Sequence, residues 1–338
     1  MTTPNLKKIA EQLNLSISTV SRALRDSHEI GAKTKQKVQE LANQLNYMPN
    51  PYAGSLRKLR TKNIALVVPE VANNFFSQAI NGIEAVAQEK GYHVLIYLTH
   101  DDAEKEIEIA KHLVNGRVDG MIFSLSGDTS DTAHLRSLKD KNLPLVLFDR
   151  VVETLDCSTV ITDDYECGFK ATEHLIKSGC KEIAYLSISK HLYIAKKRMS
   201  GYTDALQKYN IPLKKELIIQ CSHDNEKNKE AIIKLLKSPI RPDGIFASVE
   251  RLAIATYHAC AELKLNIPGQ VKVIGFSNLE TASLLAPGLS TITQPAFDMG
   301  KEAAKILFKS LDKRNLKHSV EKLVLKSELI ARGSTSDL

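Results

Sequence analysis

The first 48 residues carry three short stripes of apolar residues at helical spacing. Apolar residues at positions i, i+3, i+4 and i+7 lie on one face of a helix. The stripes are Leu6, Ile9, Ala10 and Leu13, then Val20, Ala23 and Leu24, then Val38, Leu41, Ala42 and Leu45. Asn5 can cap the first helix and Ser16 the second. The spacing predicts three short helices whose apolar faces meet in a small core.

The second of these helices presents hydroxyl groups and a guanidinium on its outer face. When two short helices are joined by a tight turn, the second helix can enter the DNA major groove. Hydroxyl groups and a guanidinium on that helix can then read the base edges. Arg22 is a candidate for bidentate hydrogen bonds to guanine, and Ile17 and Ser18 for contacts with a thymine methyl group or polar base edges. The hydroxyls of Thr19 and Ser21 suit phosphate. The alternative is an ordinary three-helix bundle with an unremarkable polar surface.

From residue 63 onward, short apolar runs alternate with helical stripes, and the series runs twice. The predicted strands are 64–68, 93–97, 120–123 and 145–148, then 183–187, 217–220, 244–247 and 271–276. The predicted helices are 77–90, 104–115 and 131–141, then 167–178, 199–209, 227–236 and 251–263. Strands that alternate with helices indicate crossover connections and parallel sheets. The predicted fold class is therefore α/β, with two lobes of doubly wound parallel sheet.

The residues that follow these strands are candidates for a ligand site. Ligands of open parallel sheets bind beyond the carboxyl ends of the strands. The candidates are Asn73, Phe75, Phe76, Asp149, Arg150, Asp163, Arg198, Glu250, Ser277 and Asn278. The two phenylalanines can stack on a sugar ring or a base, and the charged groups can bind hydroxyls or a carboxylate.

Several of these candidates also have a purely structural interpretation. Phe75 and Phe76 can belong to the core, since Phe is often buried. Asp149 and Arg150 can form an ion pair across the hinge between the lobes. Glu250 can cap the helix that follows it.

The charge of the chain is unevenly distributed. Residues 1–62 contain eleven Lys and Arg against four Asp and Glu, which gives +7, and the remaining residues hold 35 of each sign. A basic excess confined to one end is typical of a module that binds a polyanion such as DNA. A solvated basic tail is the alternative. At 338 residues with 43% apolar residues, the chain is large enough for two or three domains.

The remaining motifs argue against other classes of protein. The five cysteines are dispersed without a CxxC pair, which indicates reduced, mostly buried thiols. The first thirty residues are charged and polar, so we expect a cytoplasmic protein rather than a secreted solute-binding protein. The sequence has no P-loop, GxSxG or HExxH motif and no plausible metal cluster among its ten histidines. No enzyme activity, cofactor or metal is predicted.

The motifs of both regions resemble the lactose-repressor/galactose-repressor (LacI/GalR) family of transcriptional regulators. Near the N-terminus they are LKKIAE at 6–11, LSISTVSRAL at 15–24, TKQKV at 34–38 and LNYMPN at 45–50. In the body they are NNFF at 73–76, VDGMI at 118–122, FDR at 148–150, IGF at 274–276, PGLSTI at 287–292 and ELIARGS at 328–334. The resemblance covers nearly the whole chain and implies a helix-turn-helix domain whose helix near Ile17 enters the major groove.

The segment between the two regions resembles the hinge of this family. In the family it folds into a helix on operator DNA, and a leucine at the position of Leu56 wedges into a minor-groove step. Gly54 stands where Arg or Gln is common, which weakens the hinge helix. A plain basic linker is the alternative. The expected DNA-binding residues are Asn5, Leu6, Ser16, Ile17, Ser18, Thr19, Ser21, Arg22, Asn50, Ala53, Leu56 and Arg57.

The resemblance also implies a body of the periplasmic-binding-protein type, in which the chain crosses three times between the lobes. The expected domains are 1–48 (helix-turn-helix), 49–62 (hinge) and 63–338 (effector-binding). The first lobe comprises about 63–161 and 294–319, and the second about 162–293 and 320–338.

Within this body, Asp149 and Arg198 match the family's effector-binding positions best. Two positions depart from the family: Ser277 replaces a usual Asp, and Glu250 a frequent Asp. We expect a homodimeric repressor that binds a pseudo-palindromic operator and is switched by a small polar effector, a sugar or sugar derivative, although purines also occur in the family.

Overall fold

The structure is a computed structural model that describes residues 6–24, 26–45, 47, 60–114, 117–129, 131–222, 224–312 and 320–336. The chain divides into two compact units, residues 1–61 and 62–338. Each unit has a core of its own.

The described residues of the first unit form three helices, α1 (Leu6–Leu13), α2 (Ile17–Leu24) and α3 (Ala32–Gln44). Its buried core is Ile9, Ala10, Val20, Ala23, Val38 and Ala42. These residues come from the three predicted stripes, which confirms the prediction of a small three-helix core. The predicted cap at Ser16 is also confirmed, because the Thr19 N–H donates to Ser16 Oγ at 3.1 Å. The other expected cap, Asn5, lies outside the described residues.

The second unit alternates strands and helices, as predicted. The strands are β1 (Asn63–Val68), β2 (His93–Leu98), β3 (Gly120–Phe123), β4 (Leu145–Phe148), β5 (Ser158–Thr162), β6 (Ile183–Ser187), β7 (Ile218–Gln220), β8 (Gly244–Ala247), β9 (Lys272–Phe276), β10 (Ser290–Thr293), β11 (Lys322–Leu325) and β12 (Glu328–Ile330). The helices are α4 (Asn74–Glu89), α5 (Ala103–Leu113), α6 (Ala133–Asp140), α7 (Asp164–Lys177), α8 (Tyr193–Lys208), α9 (Asn225–Leu236), α10 (Glu250–Glu262) and α11 (Ala296–Asp312). Single 3-10 turns occupy Lys215–Leu217 and Glu280–Leu284.

The strands form two six-stranded sheets, one for each lobe. Their orders are β11-β5-β4-β3-β1-β2 and β12-β10-β9-β8-β6-β7. All pairings are parallel except that of β12 with β10. In each sheet the order reverses beside its first strand, between β1 and β3 and between β6 and β8. Such reversal points are where open α/β sheets bind ligands.

Both sheets are covered by helices on both faces. Ile64, Leu66 and Val68 of β1 join one buried cluster, and Ala65 and Val67 join another on the opposite face. This alternation follows from the two-residue period of a strand, and burial on both faces explains the continuous apolar runs in the sequence. The predicted α/β fold class is confirmed.

The third crossing between the lobes differs from the expected lobe boundary. We expected residues 320–338 to belong to the second lobe, but β11 pairs in parallel with β5 of the first sheet. Leu323 and Leu325 pack against the core of the first lobe. Only β12 joins the second sheet. Only two residues separate β11 from β12 along the chain, and nothing in the sequence of either strand indicates which sheet it joins.

The five cysteines are all free and buried, as expected from their dispersed positions. Among the residues that the structure describes, no helix is long and apolar enough to cross a membrane. Within the same residues, no group of three or more His, Cys, Asp and Glu side chains lies close enough together to hold a metal ion.

Candidate functional site

The outer face of α2 presents the residues expected to read DNA. Ile17 is 50% exposed although it is a large apolar residue. Ser18 and Arg22 are exposed, and Thr19 and Ser21 are half-buried. Arg22 Nη1 lies 3.0 Å from Glu29 Oε2, and both side chains are more than half exposed. Exposed ion pairs contribute only about 0 to 1 kcal/mol, so Arg22 can exchange this partner for a base or a phosphate.

The remaining expected DNA-binding residues lie in different places. Leu6 begins α1 and is half-buried against the core, and Ser16 caps α2. The others, Asn5, Asn50, Ala53, Leu56 and Arg57, lie outside the described residues, as does Gly54.

The second unit encloses a small cavity between its two lobes, with a volume of about 40 Å³. Its lining comes from the carboxyl ends of β4, β8, β9 and β10 and from the N-terminal turns of α4, α8 and α10. It contains nine of the ten expected effector-binding residues: Asn73, Phe75, Phe76, Asp149, Arg150, Arg198, Glu250, Ser277 and Asn278. It also contains Ile194, Val249, Phe276 and Gln294. These nine residues therefore lie around one cavity, and their role in effector binding stays a prediction.

Arg198 is the central cation of this cavity and is 2% exposed. Its Nε donates to Asp164 Oδ1 at 2.7 Å, and its Nη1 donates to the Ser248 carbonyl at 2.6 Å. The guanidinium lies 3.6 Å from the centroid of the Phe276 ring, a cation–π contact. Nη2 is buried and has no hydrogen-bond partner. A buried N–H of a charged group without a partner is costly, which makes Nη2 the donor most available to a ligand.

Arg198 is positioned by a close crossing of α7 and α8. A Cβ atom on Gly168 would lie 2.4 Å from the Arg198 carbonyl oxygen, and one on Gly201 would lie 2.2 Å from the Tyr165 carbonyl oxygen. These distances are far below van der Waals contact, so only glycine fits at both positions. The two glycines let the helix backbones touch, and this contact sets the position of Arg198 over the cavity.

Asp149 is the available acceptor of the cavity. It is 5% exposed, and a long hydrogen bond of 3.4 Å from Gln294 Nε2 reaches its Oδ1. Burial raises the pKa of Asp149, and the nearby charges of Arg198 and Arg150 oppose that shift. Its φ of 58° lies in the left-handed region, where a non-glycine residue is uncommon.

Arg150 does not form the ion pair with Asp149 that we considered. Its Nη1 binds Asp101 Oδ1 instead, and this pair lies wholly within the first lobe. Its Nε is buried without a partner. Arg150 therefore has a structural partner and still keeps one N–H for the cavity.

Other lining residues have hydrogen bonds that occupy their polar atoms. Glu250 Oε2 accepts from Ser277 Oγ at 2.7 Å and from the Asn278 N–H at 3.1 Å, so its carboxylate does not cap α10. Glu250 Oε1 accepts from Asn74 Nδ2 of the first lobe at 2.6 Å. Asn73 caps α4 through Oδ1 and donates to Glu70. These residues shape the cavity and connect the lobes.

The two phenylalanines are core residues that also line the cavity. Phe75 and Phe76 are 8% and 2% exposed and belong to the core of the first lobe. Their rings are packed edge to face, with centroids 5.2 Å apart. Both also line the cavity. They form an apolar wall that is anchored in the core.

Asp163 is the one expected effector-binding residue that the structure places outside the cavity lining. Its Oδ1 accepts from the Ser327 N–H at 2.8 Å and from Cys167 Sγ at 3.4 Å. Asp163 and Ser327 lie at two of the three crossings between the lobes. Asp163 therefore joins two crossing segments, while its neighbour Asp164 reaches Arg198.

Asp164, Phe276 and Gln294 are the functional candidates that sequence reasoning missed. Asp164 is the first residue of α7 and directly follows Asp163, which was a predicted site residue. Phe276 is the last residue of a predicted strand, and the candidates were chosen among the residues after the strands. Gln294 lies at the expected boundary where the chain returns to the first lobe, and its side chain donates to both Asp149 and Thr162.

Asp164 gives the site a pH dependence that can be measured. Burial raises the pKa of Asp164 to about 6, with the charge of Arg198 opposing the shift and that of Asp149 adding to it. Since the folded-state pKa lies above the unfolded value, the folded state binds the extra proton between pH 3.8 and about 6. The contribution of Asp164 to stability is thus present below pH 3.8 and is lost as the pH rises through about 6.

A difference of about two units between the folded and unfolded pKa of Asp164 corresponds to about 3 kcal/mol. We expect Asp164→Asn to remove this contribution. The free energy of unfolding, measured by urea at pH 4 and pH 7, should fall more with pH in the unmodified protein than in Asp164→Asn. Equal pH dependence in the two proteins would show that Asp164 ionises normally. Asp156→Asn, at an exposed carboxylate of the first lobe, is the matched control.

The described residues form a three-helix unit with an exposed polar helix face and a two-lobed α/β body around a polar cavity. This combination defines a ligand-responsive DNA-binding protein. Two family models match the chain: "Bacterial regulatory proteins, lacI family" at residues 5–50, and "Periplasmic binding proteins and sugar binding domain of LacI family" at residues 61–325. The chain belongs to the LacI family and is a transcriptional regulator.

Individual relatives agree with this assignment. The "HTH-type transcriptional regulator DegA" of Bacillus subtilis is 33% identical over 98% of this chain and 97% of its own length. A LacI family regulator from Enterococcus faecium, solved with bound ribose, is 26% identical, with a TM-score of 0.73 over 82% of this chain and 99% of its own. The lac repressor dimer bound to operator has a TM-score of 0.86 over 99% of both chains at 22% identity, which shows a shared fold.

Proposed function

We propose that this regulator is a cytoplasmic repressor that binds a pseudo-palindromic operator as a homodimer and is switched by a small polar effector in the interlobe cavity. The observation that carries the proposal is the pair of available groups in that cavity. Arg198 Nη2 is a buried donor without a partner, and Asp149 is a buried acceptor with one long hydrogen bond. Apolar walls with a few well-placed polar groups are typical of small-molecule sites.

A sugar or sugar derivative fits this pair of groups best. A hydroxyl can donate to Asp149 and accept from Arg198 at the same time, and the ring of the sugar can lie against Phe75 and Phe76. The ribose bound to the Enterococcus relative and the sugar-binding description of the matching family model support this choice. A thermal-shift screen of sugars, nucleosides and bases tests it. The proposal requires a sugar to raise the melting temperature, and a response to purines alone would contradict it.

The effector is proposed to act through the connections between the lobes. The lobes are joined by three chain crossings and by hydrogen bonds such as Asn74 to Glu250 and Gln78 to Asn278. A ligand that binds Arg198 on one lobe and Asp149 on the other changes how the lobes sit together. This shift is transmitted to the hinge and the DNA-binding helices, with a coupling free energy of typically about 1 to 3 kcal/mol.

DNA is proposed to be read by α2 from each protomer, with Ile17, Ser18 and Arg22 at base edges and Ser16, Thr19 and Ser21 near phosphates. The resemblance to the family adds Asn5, Leu6, Asn50, Ala53, Leu56 and Arg57 to the proposed contacts. The +7 charge of residues 1–62 supports affinity for the phosphate backbone.

We expect Arg22→Ala to relax base preference at one position in each half-site, by roughly 1 to 3 kcal/mol. Selection of binding duplexes from a random pool, followed by titration of single-base variants, measures this. Lys33→Ala, an exposed cation at the start of α3, is the control and should lower affinity evenly across sequences. An equally uniform loss for Arg22→Ala would make Arg22 a phosphate contact.

A further inference from the structure

The second lobe has a pocket of its own, separate from the interlobe cavity. It has a volume of about 410 Å³, and the two linings, as far as the structure describes them, have no residue in common. Its walls are the loop between β6 and α8, the first two turns of α8, and the edge strand β7 with the turn before it. We call it the edge pocket, and its lining includes Lys190, Lys196, Met199, Lys215, Ile218 and Gln220.

The edge pocket carries three positive charges without a balancing negative charge. Lys190, Lys196 and Lys215 line it, and all three are exposed. Within the described part of the chain, none of them forms an ion pair, and no Asp or Glu belongs to the lining. Other lysines of the same lobe, such as Lys208 and Lys214, pair with glutamates. Three ammonium groups around one concave surface attract an anion.

The beginning of α8 adds to this positive potential. The helix has sixteen residues, and its N-cap residue, Leu192, offers no side-chain hydrogen bond to the first turn. The positive end of the helix dipole is therefore not neutralised by a capping side chain, and Lys190 and Lys196 lie on either side of it in the sequence. An anion in the edge pocket is stabilised by the lysines and the helix end together.

The floor of the edge pocket is apolar. Ala195 is buried on the first turn of α8, Met199 lies one turn further along the same face, and Ile218 contributes from β7. Met199 and Ile218 pack against the core of the second lobe. Gln220 follows Ile218 on the same face of the strand and adds a hydrogen-bonding group. A ligand that fits has an anionic group for the lysines and an organic part for the floor.

A phosphate monoester has both of these features. Its phosphate carries a charge of about −1.5 to −2 near neutral pH and three acceptor oxygens, so it can bind more than one lysine at a time. Lysine binds phosphate as a point charge and needs no fixed geometry. A single carboxylate has only one charge to offer three cations. The volume of the edge pocket lies within the range of roughly 300 to 1,000 Å³ that is typical of small-molecule sites.

The wall of the edge pocket also connects the two lobes. Ser189 lines the pocket, and its Oγ donates to the Gly127 carbonyl of the first lobe at 3.0 Å. Tyr193, the first residue of α8, packs against the core of the first lobe as well as that of the second. A ligand that orders this loop therefore acts on a contact between the lobes.

We propose that the edge pocket binds the phosphate monoester of a small organic metabolite and that its occupation is coupled to the arrangement of the lobes. The phosphate lies among Lys190, Lys196 and Lys215, and the organic part lies on Met199 and Ile218. Because this site is separate from the interlobe cavity, it gives the regulator a second chemical signal.

Calorimetry on the full chain at constant ionic strength tests the binding. The esters are glycerol 3-phosphate, glucose 6-phosphate and phenyl phosphate, and they are compared with inorganic phosphate, glycerol, glucose and phenol. We expect at least one ester to bind at least ten times more tightly than inorganic phosphate and than its own parent alcohol. Inorganic phosphate that binds as tightly as every ester, or the absence of binding by all three esters, would overturn the inference.

Charge-neutralising variants test the location of the site. Lys196→Gln and Lys215→Gln should each weaken the ester that binds at least fivefold, because each removes one cation next to the phosphate. Both side chains are exposed, so the fold should tolerate these changes. Lys234→Gln, at an exposed lysine of α9 outside the edge pocket, is the matched control and should leave the affinity unchanged. An effect below twofold in either pocket variant, or an equal loss in Lys234→Gln, would place the anion elsewhere and overturn the inference.

DNA titration tests the coupling. The Kd for a duplex that the protein itself selects should change at least fivefold when the ester saturates the unmodified protein. The same ester concentration should change it less than twofold in the double variant Lys196→Gln, Lys215→Gln. An unchanged Kd in the unmodified protein with bound ester would overturn the coupling. An equal change in both proteins would show that the ester acts outside the edge pocket.

Discussion

Arg198→Ala is expected to weaken effector binding by roughly 10- to 100-fold while the protein still binds its operator. The side chain supplies Nη2, a buried guanidinium nitrogen that lacks a partner, and hydrogen bonds to charged groups contribute about 1.5 to 3 kcal/mol each. A loss of about 3 kcal/mol corresponds to roughly 100-fold in Kd. Calorimetry with the sugar that binds, and operator titration without it, measure the two effects separately.

The alanine variant also leaves Asp164 buried without its ion-pair partner, which can cost about 3 to 5 kcal/mol of stability. Arg198→Lys therefore accompanies it, because lysine keeps the charge beside Asp164 but lacks the planar donor group. Arg332→Ala is the matched control, since Arg332 also donates to a backbone carbonyl in the second lobe but lies outside the cavity. Unaltered effector affinity in a folded Arg198→Lys protein would remove Arg198 from the binding site.

Gly201→Ala is expected to produce the largest loss of stability among single-methyl additions in the second lobe. The new Cβ would lie 2.2 Å from the Tyr165 carbonyl oxygen and 2.5 Å from the Phe169 nitrogen, and both are backbone atoms that cannot rotate away. The helices α7 and α8 must separate, and we expect the free energy of unfolding to fall by about 3 kcal/mol or more, at the upper end for overpacking.

The same separation moves Arg198, which lies one turn before Gly201 on α8, so effector affinity should fall as well. Gly269→Ala is the control, because the nearest atom to its Cβ would be 3.5 Å away in ordinary contact. Urea denaturation and calorimetry of both variants provide the comparison. A Gly201→Ala protein as stable as Gly269→Ala would mean that the two helices do not approach as closely as the structure shows.

Sequence patterns predicted the fold well because they follow from simple geometry. The stripes of the three N-terminal helices and the apolar runs of the strands reflect the 3.6-residue and two-residue periods of helix and strand. The rule that ligands bind at the carboxyl ends of parallel strands then placed Asp149 and Arg198 in one cavity although they are distant in sequence.

The patterns failed where a shift of one or two residues decides the outcome. Asp163 and Asp164 are adjacent acids after the same strand, yet one joins the crossing segments and the other binds Arg198. The two short strands β11 and β12 are adjacent in sequence but belong to different sheets. No periodicity distinguishes such cases, because tertiary contacts determine them.

The structure explains the two departures from the family pattern as a pair. Ser277 stands where an Asp is usual, but the longer side chain of Glu250 brings its carboxylate 2.7 Å from Ser277 Oγ. A negative group therefore remains at the end of β9, although a different residue supplies it. Each departure was visible in the sequence. Only the short distance between the two side chains shows that Glu250 compensates for the missing Asp at position 277.

The central claim is that a ligand in the cavity controls the affinity of this protein for DNA. The most direct test is the Kd for a duplex that the protein itself selects from a random pool, measured at one salt concentration with and without the sugar that binds. The account predicts a change of about 5- to 150-fold in the unmodified protein and less than twofold in Arg198→Lys at the same sugar concentration. An identical Kd with and without bound sugar, or the absence of binding to any duplex, would contradict it.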